Sequence, residues 1–147
     1  MLKFYRFFTN SLYSNLIEEV KQEVAREFNI NPANLNCKIK ILPLPKFYFF
    51  KKIGNKLYAF IGKILGAYNP LKKEIYIDSF LWFKSKFNFD VLKLYLKTLA
   101  EEFAHRAQHY LGKLKPYYFE DYFRSKVERE AKKVAQKVTK RLLKNYL

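Results

Sequence analysis

Apolar residues recur at helical spacing over residues 11–28, where Leu12, Leu16, Ile17, Val20, Val24 and Phe28 form one stripe. Glu18, Glu19, Lys21 and Glu23 occupy the other side, so an amphipathic helix is expected there, ended by the Pro32-containing stretch 29–36. From Cys37 the period shortens to two. Residues 37–42 alternate and run into Pro43 and Pro45, the pattern of a short strand stopped at a rigid bend. Residues 46–53 and 56–65 flank Gly54-Asn55 as the arms of a hairpin, residues 66–70 read as a turn, and residues 73–78 alternate again. Short, sequential strands favour antiparallel pairing.

The long period returns at Asp90. Val91, Leu94, Tyr95, Thr98, Leu99, Glu102, His105 and Gln108 fall along adjoining faces of one helix from about Asp90 to Leu111, with Asn88 or Asp90 at its start and Gly112 at its end. After a connection containing Pro116, a last helix begins near Glu120 with Val127, Ala131, Val134, Val138 and Leu142 on one stripe. The expected class is α+β: an N-terminal helix, a small mostly antiparallel sheet and two helices. No repeat or linker divides the chain, so one domain is expected over residues 1–147.

At 147 residues and 50% hydrophobic content the chain can bury roughly 70% of its unfolded surface and sustain a core. Its single cysteine, Cys37, excludes an intramolecular disulfide framework and a cysteine-based zinc ribbon, and reads as a buried small apolar residue. The longest apolar stretch, 57–68, is broken by Lys63 and two glycines and falls short of the roughly 18 to 20 residues of a membrane span. Residues 1–8 lack an uninterrupted apolar run and a small-residue cleavage site, so no signal peptide is expected. These features point to a soluble cytoplasmic protein with no transmembrane segment.

Charge adds a second consideration. The formal net charge is +16, with nine lysines and no acid over residues 28–73, and six basic residues and no acid over 131–147. Two strongly positive surfaces follow, suited to phosphates or an acidic membrane surface. Phe47-Tyr48-Phe49-Phe50 with Lys46, Lys51 and Lys52 is a candidate base-stacking and phosphate-neutralising strand.

The sharpest chemical signal is Thr98-Leu99-Ala100-Glu101-Glu102-Phe103-Ala104-His105-Arg106-Ala107-Gln108. Glu101 and His105 are four apart and share a helix face, with Glu102 one step round. Burying carboxylates and an imidazole on an otherwise apolar helix is costly unless something binds them. Taken alone, the glutamates would be a solvated helix face and His105 a satisfied histidine. His109, one turn on, makes a His105 and His109 pair with Glu101 or Glu102 an alternative donor set, although its place near the helix end suits a surface residue.

The segment resembles the active helix of zincin metallopeptidases, His-Glu-x-x-His, with Glu101 where the first histidine stands. Upstream, Gly66-Ala67-Tyr68-Asn69-Pro70 and Glu74-Ile75-Tyr76-Ile77-Asp78 look like the turn and strand that line the family's substrate cleft. Downstream, Val127-Glu128-Arg129-Glu130-Ala131 is similar to the glutamate-supplying helix of the gluzincin subgroup. The resemblance implies a minimal gluzincin-like metallopeptidase acting on a peptide or protein substrate. Metal ligands would be Glu101, His105 and Glu128, with Glu130 as the alternative third ligand, and Glu102 would be the general base.

Two departures alter that expectation. A Glu, His, Glu set carries two negative charges, weakens the acidification of water by zinc, and moves preference toward harder divalent ions such as Mn²⁺ or Fe²⁺. Lys132 stands where the family has an acidic residue behind the metal. The other function compatible with the sequence is a catalytically inactive zincin-like module that binds nucleic acid or a protein partner through its basic surface.

Overall fold

A computed structural model describes residues 10–113 and 121–146. The basic, aromatic start of the chain and the connection around Pro116 lie outside the described residues. So do the side chains of Phe47, Tyr48, Phe49 and Phe50, the candidate base-stacking group.

Helix α1 (Asn10–Glu27) turns Tyr13, Leu16, Val20 and Val24 inward, the i, i+3, i+4 spacing of one face. Asn29 ends it in the left-handed region at φ 53°, and Ile30 N–H reaches back to the Ala25 carbonyl at 3.0 Å, which satisfies an otherwise orphan acceptor. A single 3₁₀ turn, Pro32–Leu35, then buries Leu35 and leads into strand β1 (Lys38–Leu42).

Strands β2 (Lys46–Ile53) and β3 (Lys56–Lys63) pair antiparallel around Gly54-Asn55 as expected, but form a two-stranded sheet of their own. Strands β4 (Gly66–Asn69) and β5 (Glu74–Asp78) complete a second, three-stranded sheet ordered β1-β5-β4. This sheet is mixed rather than mostly antiparallel, because β1 runs parallel to β5 while β4 runs antiparallel to it. A parallel pair needs a long return connection. Residues 43–73 supply one, made of the hairpin and β4 instead of a helix. Residues 66–69, read as part of a turn, are the edge strand β4; the turn proper follows, where the Asn69 side chain accepts from Leu71 N–H and Lys72 N–H.

Central strand β5 buries Ile75 and Ile77 on one side and ends at Asp78, which is 1% exposed. One Asp78 oxygen accepts from Leu44 N–H at 3.0 Å, the other from Leu81 N–H at 3.2 Å. The carboxylate thus ties the segment after β1 to the start of a short helix that the hydrophobic pattern did not reveal, α2 (Ser79–Ser85). Tyr13 of α1 packs edge-on against Trp82 and Tyr95 and its hydroxyl meets Ser85 Oγ at 2.9 Å, fixing α2 against the helices.

Helix α3 (Phe89–Tyr110) starts at Asn88, whose side chain accepts from Asp90 N–H and Val91 N–H, and ends at Gly112 with φ 74°, where Lys113 N–H bonds the Gln108 carbonyl at 2.8 Å. It packs against α1, α2, β4, β5 and the last helix, α4 (Asp121–Tyr146). Val127, Ala131, Val134, Val138 and Leu142 of α4 are buried as the stripe predicts. Glu23 and Glu27 of α1 hold Arg141 of α4 in a cross-helix ion cluster. Among the described residues, no helix is long and apolar enough to cross a membrane.

Asp78→Ala removes a helix cap and an acceptor buried beside β1. It is expected to lower stability by about 1 to 3 kcal/mol, read as a reduced denaturant midpoint with an unchanged slope; a shift within about 0.5 kcal/mol would mean that the two N–H groups find other partners.

Candidate metal centre

The site is built where α3 crosses α4 beneath the edge strand. Glu101 and His105, one turn apart on α3, face α4, and Glu128 of α4 meets them there. One ligand atom from each of the three lies within 4.8 Å of those of the other two. Tetrahedral zinc with oxygen and nitrogen at about 2.0 to 2.2 Å holds its ligands about 3.4 Å apart, so side-chain rotation of an ångström or so would close this group around an ion. The donor set, two carboxylates and an imidazole, suits a divalent cation of intermediate hardness.

His105 is oriented for that role by its neighbour one turn along. Gln108 is fully buried, and its Nε2 donates to the Val127 carbonyl at 2.9 Å and to Glu130 Oε1 at 3.0 Å. The amide nitrogen being committed, its Oε1 is an acceptor, and His105 Nδ1, 2.9 Å away, must donate to it. Nε2 is left facing Glu128 Oε1 at 3.5 Å, where the neutral ring would present its lone pair to a metal.

The same bonds decide between the two candidate third ligands. Glu130 is held by Gln108 and by Lys113 Nζ at 3.4 Å, away from the cluster. Glu128 is the glutamate that joins it. His109 does not join either: its Nδ1 meets the Tyr68 hydroxyl at 2.7 Å, on the side of α3 facing β4. Lys132 is solvent-exposed, and its charge lowers the proton affinity of Glu101.

Glu102, one step round the helix, is only 7% exposed. Burial pushes its carboxyl up to about 7; the His105 charge pulls it down, and Glu101 and Glu128 push it further up. Burial opposes a proton on His105, but the Glu128 carboxylate at its Nε2, Glu102 and the Gln108 acceptor outweigh that effect and hold it up to about 9. Burial likewise raises Glu101, with His105 pulling it back. Without an ion the cluster therefore keeps protons that a metal would displace.

The strand above is shaped to this arrangement. A Cβ at Gly66 would stand 2.6 Å from Thr98 Cγ2, 3.2 Å from Glu102 Cγ and 3.4 Å from Glu102 Oε1. Only a glycine lets the β4 backbone lie against the glutamate in this way.

One buried polar residue of α3 was given no role by the sequence reading. Arg106 is 7% exposed and lies close enough to Tyr68 and Cys37 to act on both. Burial holds the Cys37 thiol up at about 11, partly offset by Arg106 and Lys21, which favours its protonated form. Gln108 was visible only as part of the motif's setting; its spacing of three from His105 was the available signal.

No family model matches the chain, and comparison with curated proteins and with solved structures finds no match.

Gly66→Ala is expected to cost about 1 to 3 kcal/mol through displacement of Thr98 and Glu102, with a lowered thermal midpoint as the readout; an unchanged midpoint would show that β4 moves aside freely. Glu102 gives a pH signature. Its folded affinity for a proton exceeds the unfolded one, so its contribution is full below the usual 4.5 and is lost as pH rises through about 7. Denaturation from pH 4 to 8 should show wild-type stability falling relative to Glu102→Gln across that window, and a constant difference would contradict a buried, protonated Glu102.

Proposed function

We propose that this chain is a minimal gluzincin-like metallopeptidase whose metal is held by Glu101, His105 and Glu128. The observation that carries the reading is the convergence of these three donors from two packed helices beside a buried carboxyl. An ion bound there would supply Lewis acidity to polarise water and a scissile carbonyl. Glu102, held near neutrality and flanked by the donor cluster, takes the proton of the attacking water and delivers it to the departing amine. Gln108 keeps His105 in the tautomer that turns Nε2 to the ion. The outer edge of the three-stranded sheet at β4, beside Glu102, would offer an extended peptide backbone hydrogen-bonding groups for strand addition.

The two carboxylate ligands favour Mn²⁺ or Fe²⁺ more than a two-histidine site would, and weaken zinc's acidification of water. His105 must lose its proton to bind, so apparent affinity rises with pH toward about 9 and binding releases protons.

Calorimetric titration of the full chain with Zn²⁺ and Mn²⁺ tests the site separately from its activity. One equivalent should bind, with proton release seen as a dependence of the heat on buffer. Binding should vanish in His105→Ala, weaken about 10- to 100-fold in Gln108→Leu, and persist in Glu130→Gln. Hydrolysis of an unfolded protein substrate should fall about 100-fold or more in Glu102→Gln with metal binding retained. Absence of metal binding by the wild type, together with its gain in Glu101→His, would instead favour the inactive module that holds nucleic acid or a protein partner on its lysine-rich surfaces.

A further inference from the structure

The seam between α3 and α4 continues past the donor cluster into a groove of about 640 Å³, lined by Lys93, Leu94 and Lys97 of α3 and by Lys140, Leu143 and Lys144 of α4, with Asp90 beside them. Its nearest α3 residue, Lys97, is one turn from Glu101, about 6 Å along the helix axis. The volume falls within the range of small-molecule sites.

The two walls carry matched chemistry. Lys93 and Lys97 are one turn apart on α3, and Lys140 and Lys144 are one turn apart on α4. Among the described residues none of the four has an acidic partner within ion-pairing distance. Between the walls lie Leu94, 41% exposed, and Leu143. An apolar floor flanked by four cations describes a receptor for an apolar tail with an anionic head.

The head is better a monoanion than a phosphate. Arginine is absent from the lining, so there is no guanidinium fork for bidentate capture of phosphate, and Asp90 in the lining reduces the field for a dianion. A nucleic-acid backbone would make little use of an apolar floor. From Asp90 to Lys97 the seam runs about 10 Å, the reach of a medium-length acyl chain.

We infer that the α3–α4 groove binds a medium-chain carboxylate, its tail against Leu94 and Leu143 and its carboxylate held by the lysine pairs. This site is separate from the proposed metal ligands and does not depend on them.

The test is calorimetric titration of the full chain with dodecanoate below its micelle concentration. One equivalent is expected to bind. Lys93→Gln/Lys140→Gln, at two exposed positions, should leave the circular dichroism spectrum unchanged and weaken binding about tenfold. Dodecanol, with the same tail and no charge, should bind about tenfold more weakly, and octanoate should also lose affinity through its shorter chain. His105→Ala should bind dodecanoate like the wild type, which distinguishes this site from the metal centre. No binding of dodecanoate, equal binding of dodecanol, insensitivity to the lysine pair, or displacement of dodecanoate by a short DNA duplex would each overturn the inference, the last by making the groove a phosphate track.

Discussion

Helix α3 is enclosed on nearly every side yet carries Glu102, His105, Arg106 and Gln108 within two turns. Removing such groups from water costs several kcal/mol each unless they are paired. The surroundings of α3 answer that cost for three of the four, while Arg106 Nε stays buried without a hydrogen bond. His105 meets Glu128 and Gln108, Gln108 is satisfied by the α4 backbone and Glu130, and Glu102 responds to burial by holding a proton. Helix α4 is therefore held to α3 by polar complementarity as well as by its apolar stripe, and its register is fixed by the bonds of Gln108.

That register has a chemical consequence. A shift of α4 by two residues would exchange Glu128 for Glu130, yet the two differ completely in what they touch. Glu130 ends its reach at Gln108 and Lys113, and Glu128 faces the imidazole. The same interaction that satisfies a buried amide thus selects which carboxylate enters the donor group and which histidine nitrogen points toward it. Edge strand β4 is held to the same standard from above, where Gly66 leaves just enough room for Glu102.

Much of this was legible before any coordinates. The three long helices follow from stripes of period 3.6, and their ends from Asn88 and Gly112, because long periodic segments and caps are local signals. Glu101 and His105 were legible as candidates because polar residues on an otherwise apolar helix stand out, whereas Glu128 was a candidate only through the resemblance to the gluzincin glutamate helix. Strand partnership was not, since alternation reports which faces are buried and carries no information on which neighbour runs alongside; hence the parallel pairing of Ile39 with Ile75 was missed. Helix α2 is too short for a period to emerge, though Asp78 before Ser79 was its capping signal. Gly66 and Asn69 read as turn residues because glycine and asparagine usually are; here glycine is required by close approach and asparagine by the turn that follows. Glu128 and Glu130 flank one stripe, so only a contact with another helix could separate them.

The distribution of charge along α3 and α4 gives the two helices different ends. Toward the C-terminus of α3 the Glu101 and Glu128 carboxylates gather around His105, while toward its N-terminus the lysines of both helices face one another across Leu94 and Leu143, with Asp90 the acid among the residues that line the groove. Like charges brought together on opposing walls repel, and the helices tolerate this only because the ammonium groups extend into solvent while their aliphatic stems cover apolar surface. An anion settling between them would relieve that repulsion and gain the apolar floor as well. Cations at the acidic end and anions at the basic end are thus favoured by the same packing, and Lys97, one turn from Glu101, is where the two fields meet.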